Sequence, residues 1–166
     1  MKASLLSLAL IPTLALAAGG SPDSSFYKSL AAGGTAEVDL GALAQTKASD
    51  PSVKNFAAMM VKDHTAANEQ LATLAASKSV KLPSGPGMEA DAKRAELKLL
   101  SGHEFDKSYI SNQIKAHEDT VKLLQKEIAS GQDMDAKAFA QQVLPTVQAH
   151  LTAADKLADS LGVSHH

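Results

Sequence analysis

Four ionisable side chains stand where apolar residues would be expected. Glu37, His64, His117 and His150 each interrupt a stripe of hydrophobic residues spaced at helical intervals. A carboxylate withdrawn from water needs a partner, and an imidazole so placed needs its ring nitrogens satisfied. The set therefore has two self-consistent uses. Three neutral imidazoles and one carboxylate supply up to four ligands to a borderline divalent ion, with histidine nitrogens at about 2.0–2.1 Å in the case of zinc. Zinc, copper, iron or nickel would all accept them. Alternatively, the four groups satisfy one another as a metal-free polar network inside the core.

Other polar residues are read as structural. Asp63 and Glu118 adjoin the seam histidines but are rotated about 100° away on a helix, which predicts a solvated face. Asn68, one turn after His64, either bonds into the cluster or marks its boundary. His103, Glu104 and Asp106 fall where a helix starts and read as capping residues. His165-His166 reads as a tail, and Met59 and Met60 as core filler. The chain has no cysteine, which excludes disulfides, thiolate metal sites, a cysteine nucleophile and a lipid-attachment cysteine. It has no nucleophile elbow, phosphate-binding glycine loop or zincin His-Glu-x-x-His helix. No catalytic residue is assigned.

The elements that must position the four groups are helical. An apolar content of 45% is carried largely by Ala, Leu and Val, without Trp, and this favours closely packed helices over a sheet. A first segment, from about Ser24 to Ala48, places Phe26, Leu30, Gly33, Leu40 and Ala44 on one side. Asp50-Pro51 supplies a cap and a proline at the first helical position. The second segment runs from there to about Ser77, with Val53, Ala57, Met60, His64, Ala67, Leu71 and Leu74 as its seam. A breaker-rich stretch, Lys81 to Gly87, leads to a short helix from about Met88 to Leu100. The third long segment, about Glu104 to Ser130, carries Ile110, Ile114, His117, Val121, Leu124 and Ile128. Gly131 is expected to end it as a left-handed cap. The fourth begins near Asp133 and carries Phe139, Val143, Val147, His150, Ala154, Leu157 and Leu161.

Burying four such stripes calls for four antiparallel helices, with one long connection over residues 83–102 crossing the length of the bundle. Counted from the loops, the four ionisable groups all fall near mid-length and can meet at one level. The chain also echoes itself: Phe56 and Tyr109 each precede a seam histidine by eight residues, and Leu71 and Leu124 each follow one by seven. This pattern suggests that the helices are related in pairs. Pro145 frees a carbonyl about one turn before His150 and predicts a kink. Gly33-Gly34, about one turn before Glu37, either opens room for a ligand or lets a helix approach closely.

Met1-Lys2, the apolar stretch Ala3 to Leu16 and the small-x-small pattern Ala15-Leu16-Ala17 read as a signal peptide over residues 1–17. A flexible mature N-terminus is expected over 18–23, the bundle over 24–162 and a tail over 163–166. The expected location is the periplasm or outside the cell, with no membrane span in the mature chain. Removing a leader with one lysine takes the formal charge from -2 to -3, which argues against a nucleic-acid partner.

The string Ala31-Ala32-Gly33-Gly34 with Glu37, the stretch Val53 to His64, then Phe105-Asp106-Lys107-Ser108-Tyr109, and Leu144-Pro145 with His150-Leu151 resemble an exported bacterial family, domain of unknown function 4142. The resemblance implies an all-α, ferritin-like antiparallel four-helix bundle with a long crossover containing a short extra helix. Di-iron ferritin-like sites use Glu-x-x-His on two helices, and none of the seven glutamates here has a histidine three residues later. What carries over is the idea of inward ligands at mid-bundle. Two functions are therefore expected to compete. One is an exported bundle that stores, buffers or senses a transition-metal ion through Glu37, His64, His117 and His150. The other is a non-catalytic envelope protein, structural or stress-related, that binds another envelope protein and keeps the Glu/His cluster metal-free.

Overall fold

The computed structural model describes residues 21–163. The leader expected over 1–17, residues 18–20 and residues 164–166 of the tail lie outside the described residues. Five helices form: α1 (Ser24–Lys47), α2 (Pro51–Ser77), α3 (Met88–Leu99), α4 (Gly102–Ser130) and α5 (Met134–Leu161). There is no strand among the described residues. None of the helices is long and apolar enough to cross a membrane.

Local chemistry sets the helix ends. Asp50 accepts a hydrogen bond from the Ser52 backbone N–H at 2.7 Å, with Pro51 in the first turn. Asp133 does the same for Asp135 at 3.0 Å. The α5 C-terminus closes on Gly162 at φ 67°, the left-handed cap that glycine accepts without a Cβ penalty. Gly131 does not behave this way. Its φ is -60°, and its role is spatial, because a Cβ there would stand 2.3 Å from a Glu127 carboxylate oxygen.

Two helical hairpins, α1/α2 and α4/α5, pack face to face. At one end Asp106 of α4, fully buried, accepts from the backbone N–H of Ser49 at 3.0 Å, the N–H of Asp50 at 3.0 Å and the Ser49 hydroxyl. It thus caps the α1–α2 turn from across the bundle rather than its own helix. At the other end Lys78, just past α2, bridges Asp133 at 2.9 Å and Asp135 at 2.7 Å. Asp23, ahead of α1, accepts from the backbone of Gln132 and Asp133. Residues 21–23, expected to be flexible, are therefore pinned to the α4–α5 turn. The start of α4 lies beside the start of α2, so the link 78–101 runs the length of the bundle. This is an all-α, ferritin-like antiparallel four-helix bundle, with α3 inside its crossover.

The core divides into two dry layers. One gathers Phe56, Met60, Phe105, Tyr109 and Ile110 toward the α1–α2 turn. The other gathers Tyr27, Leu71, Leu124, Phe139 and Val147 toward the α4–α5 turn. Each fully buried large side chain contributes roughly 1.5–3 kcal/mol relative to exposure. Phe56 of α2 and Tyr109 of α4 are edge to face, with ring centroids 6.3 Å apart. The stripe on α1 is broader than expected: Phe26, Leu40 and Ala44 are buried as read, Tyr27, Ala31, Gly34 and Gly41 join them, and Gly33 is exposed. Small residues allow the added contact, since a Cβ on Gly41 would lie 2.9 Å from Val61 Cγ2 and 3.0 Å from the Ala57 carbonyl.

Candidate metal centre

Between the two dry layers lies a polar level to which four helices contribute: Glu37 from α1, Asp63 and His64 from α2, Gln113 and His117 from α4, and His150 from α5. The three imidazoles form a near-equilateral group. Ring centroids are 5.6 Å apart for His64–His117 and 5.5 Å apart for both His64–His150 and His117–His150. One ring nitrogen from each lies within 4.8 Å of one from each of the others. Nitrogens on a tetrahedral ion at about 2.0–2.1 Å are about 3.4 Å apart, so the triangle closes on an ion with side-chain adjustments of about 1 Å.

Two of the tautomers follow from the acceptors. His117 Nδ1 lies 2.8 Å from the Gln113 carbonyl oxygen, which can only accept, so the proton sits on Nδ1 and the lone pair on Nε2. His150 Nε2 lies 3.0 Å from Asp63 Oδ2 and donates to that carboxylate, so in the neutral ring the lone pair is on Nδ1. His117 Nε2 and His150 Nδ1, together with His64 Nε2, are buried without a hydrogen-bond partner. This is the outer bonding that orients metal-ligating histidines, in which one nitrogen is tied to a carbonyl or carboxylate and the other is left free.

Electrostatics favours the neutral rings. Burial pulls His64 down to about 3, helped by repulsion from His117 and His150 and opposed by Asp63. Burial also pulls His117 down to about 4, against the stabilising bond to the Gln113 carbonyl and with His150 adding to the fall. Both rings therefore keep their lone pairs at neutral pH.

Glu37 lies at the same level and lines the same cavity, but it is not in the group of converging nitrogens. Its carboxylate accepts from Gln113 Nε2 at 2.7 Å. Desolvation pushes its carboxyl up to about 7, partly countered by that bond. Gln113 thus links the two halves of the site, through its carbonyl to His117 and through its amide to Glu37.

Asp63 corrects the sequence reading, which placed it on a solvated face. Its side chain is 31% exposed yet reaches His150 on the facing helix. Gln113 was not anticipated either. The available signal was its place one helical turn before His117, since a residue at i−4 presents its carbonyl to the ring that follows. Asn68 lies against Gly34, where a Cβ would be 2.0 Å from its Oδ1, so Gly34 admits a side chain from α2. The exposed Gly33 lines the cavity. His103 and Glu104 are exposed at the start of α4. α5 continues through Pro145.

A cavity of about 320 Å³ opens beside the rings between the two hairpins. Leu30, Leu71, Leu123, Phe139, Val143 and Val147 wall it, with His64, His117, His150 and Glu37 among its lining. At its rim Gln142 Nε2 donates to Gln70 Oε1 at 2.9 Å, joining α5 to α2.

The chain belongs to the family described as domain of unknown function DUF4142, whose profile matches residues 12–157. No curated protein matches it. Among solved structures it is similar to a DUF305 protein from Streptomyces coelicolor described as a candidate secreted protein, with a TM-score of 0.74 at 15% identity. That match covers 88% of this chain and 98% of the other. It is also similar to a DUF305 fragment from Deinococcus radiodurans, with a TM-score of 0.72 at 16% identity, covering 86% of this chain and 97% of that one. At these identities the likeness is one of fold.

Proposed function

We propose that this bundle binds one transition-metal ion through Nε2 of His64, Nε2 of His117 and Nδ1 of His150, as an exported protein that stores, buffers or senses the ion. One observation carries the reading: three imidazoles from three helices bring one ring nitrogen each within 4.8 Å of the others, and each ring has a buried nitrogen without a hydrogen-bond partner. In a metal-free polar network those nitrogens would be bonded to one another or to neighbours, since an unmet buried acceptor costs about 1–3 kcal/mol. Zinc, copper, iron and nickel all suit imidazole donors. Glu37, whose Oε2 accepts from Gln113, is a neighbouring acid outside the three converging nitrogens.

Three protein ligands leave the coordination sphere open, which favours reversible loading over a closed structural site. The two apolar layers above and below the site hold the spacing of the rings. The test is elemental analysis of untagged protein exposed to zinc, copper, nickel and iron, beside a variant with His165 and His166 both changed to Ser. The expected result is one ion per chain in both. Absence of any stoichiometric metal, or its loss on removing only the two terminal histidines, overturns the reading.

A further inference from the structure

We propose that the cavity beside the three imidazoles is the seat of a small organic monocarboxylate, whose oxygen takes the open metal position while its apolar body fills the space between the hairpins. The inference rests on the metal reading above and adds a ligand to it.

Size is the first argument. About 320 Å³ is far more than an ion with one water needs, since a water occupies about 30 Å³. It falls within the range of about 300–1,000 Å³ typical of small-molecule sites. The distribution of chemistry is the second. Leu30, Leu71, Leu123, Phe139, Val143 and Val147 wall the space, while the donor nitrogens lie together on its lining. A ligand that matches this pattern has one coordinating end and an apolar remainder. Charge is the third. Within hydrogen-bonding reach of the rings, a divalent ion is offset by one carboxylate, Asp63. An anionic donor therefore suits the open position better than a neutral one. Glu37 lies outside the group of converging donors.

The probe is cobalt(II), whose visible bands respond to a change of ligand, titrated with benzoate and separately with acetate. Benzoate is expected to shift the bands at a concentration at least tenfold lower than acetate. Val143→Phe and, independently, Ala67→Leu add bulk to the cavity lining and replace no metal ligand. Each is expected to keep cobalt binding and lose the preference for benzoate. Bands indifferent to benzoate, equal responses to the two acids, or a preference unchanged in both filled variants would overturn the inference while leaving the metal site standing. A protein that develops no cobalt bands overturns the metal reading itself, and this inference with it.

Discussion

Replacing both His64 and His117 by Leu separates the two uses of the polar level, because metal-bound and metal-free protein should respond with opposite signs. In the metal-free protein, each ring buries a nitrogen without a protein partner, at a cost of up to about 1–3 kcal/mol. His117 is 1% exposed and bears the full cost, whereas His64 is partly open to the cavity and bears less. Leucine has a similar volume and no polar atom, so the double variant is expected to gain about 2–4 kcal/mol without metal. For a domain of this size that raises Tm by roughly 5–12 °C. The wild type, at a free-metal concentration about a hundredfold above Kd, gains about 2.7 kcal/mol by linkage, or roughly 5–10 °C. The variant has lost two of three ligands and should gain nothing. Thermal unfolding followed by circular dichroism, with and without zinc, copper or nickel at pH 7, reads all four states. A wild type whose Tm ignores every ion, or a double variant stabilised by metal as much as the wild type, refutes the reasoning. So does a metal-free double variant that melts several degrees lower, because the rings would then be satisfied in the native core.

Three further outcomes are expected. Folded Glu37, with its carboxyl near 7 against an unfolded value near 4.5, holds its proton across that interval; its stabilising contribution is complete below 4.5 and is lost as pH rises through 7, amounting to about 3 kcal/mol at most. Glu37→Gln should therefore match the wild type at pH 4 and exceed it at pH 8 in urea melts, and an equal difference at both pH values would contradict this. Asp106→Ala strands three donors, the Ser49 and Asp50 amides and the Ser49 hydroxyl, and should cost about 3 kcal/mol or more; a urea midpoint within error of the wild type would show that the turn is capped by other means. Tyr109→Phe removes a buried hydroxyl without a partner and keeps the stacking on Phe105, with centroids 6.1 Å apart. Equilibrium unfolding should show unchanged or slightly higher stability, and a loss above about 1 kcal/mol would reveal a partner for that hydroxyl.

The helices were legible because their causes are local. Pro51 and Asp50 announce a start, the seams repeat at helical intervals, and the boundaries of α2 coincide with those read from residues alone. The stripe of α1 was less legible, since glycine and alanine carry little hydrophobic contrast and close packing by α2 decided which of them face inward. Asp106 looked like a cap for its own helix and caps another, because its acceptors are offered to donors 56 and 57 residues away. Gly131 looked like a left-handed terminus and instead makes room for Glu127.

The amino-acid order alone determined that three histidines and a glutamate would stand at mid-length on inward faces, because periodicity and distance along a helix are properties of one chain segment. Their partners were decided only when the hairpins docked. A residue rotated about 100° from a seam, such as Asp63, still meets a ring if the facing helix brings one to it. Gln113 takes Glu37 and leaves the imidazoles to one another, because a few ångströms of side-chain reach between helices decide each bond and no repeat along the chain encodes them. The donor nitrogens, the acid beside them and the cavity they share are products of packing.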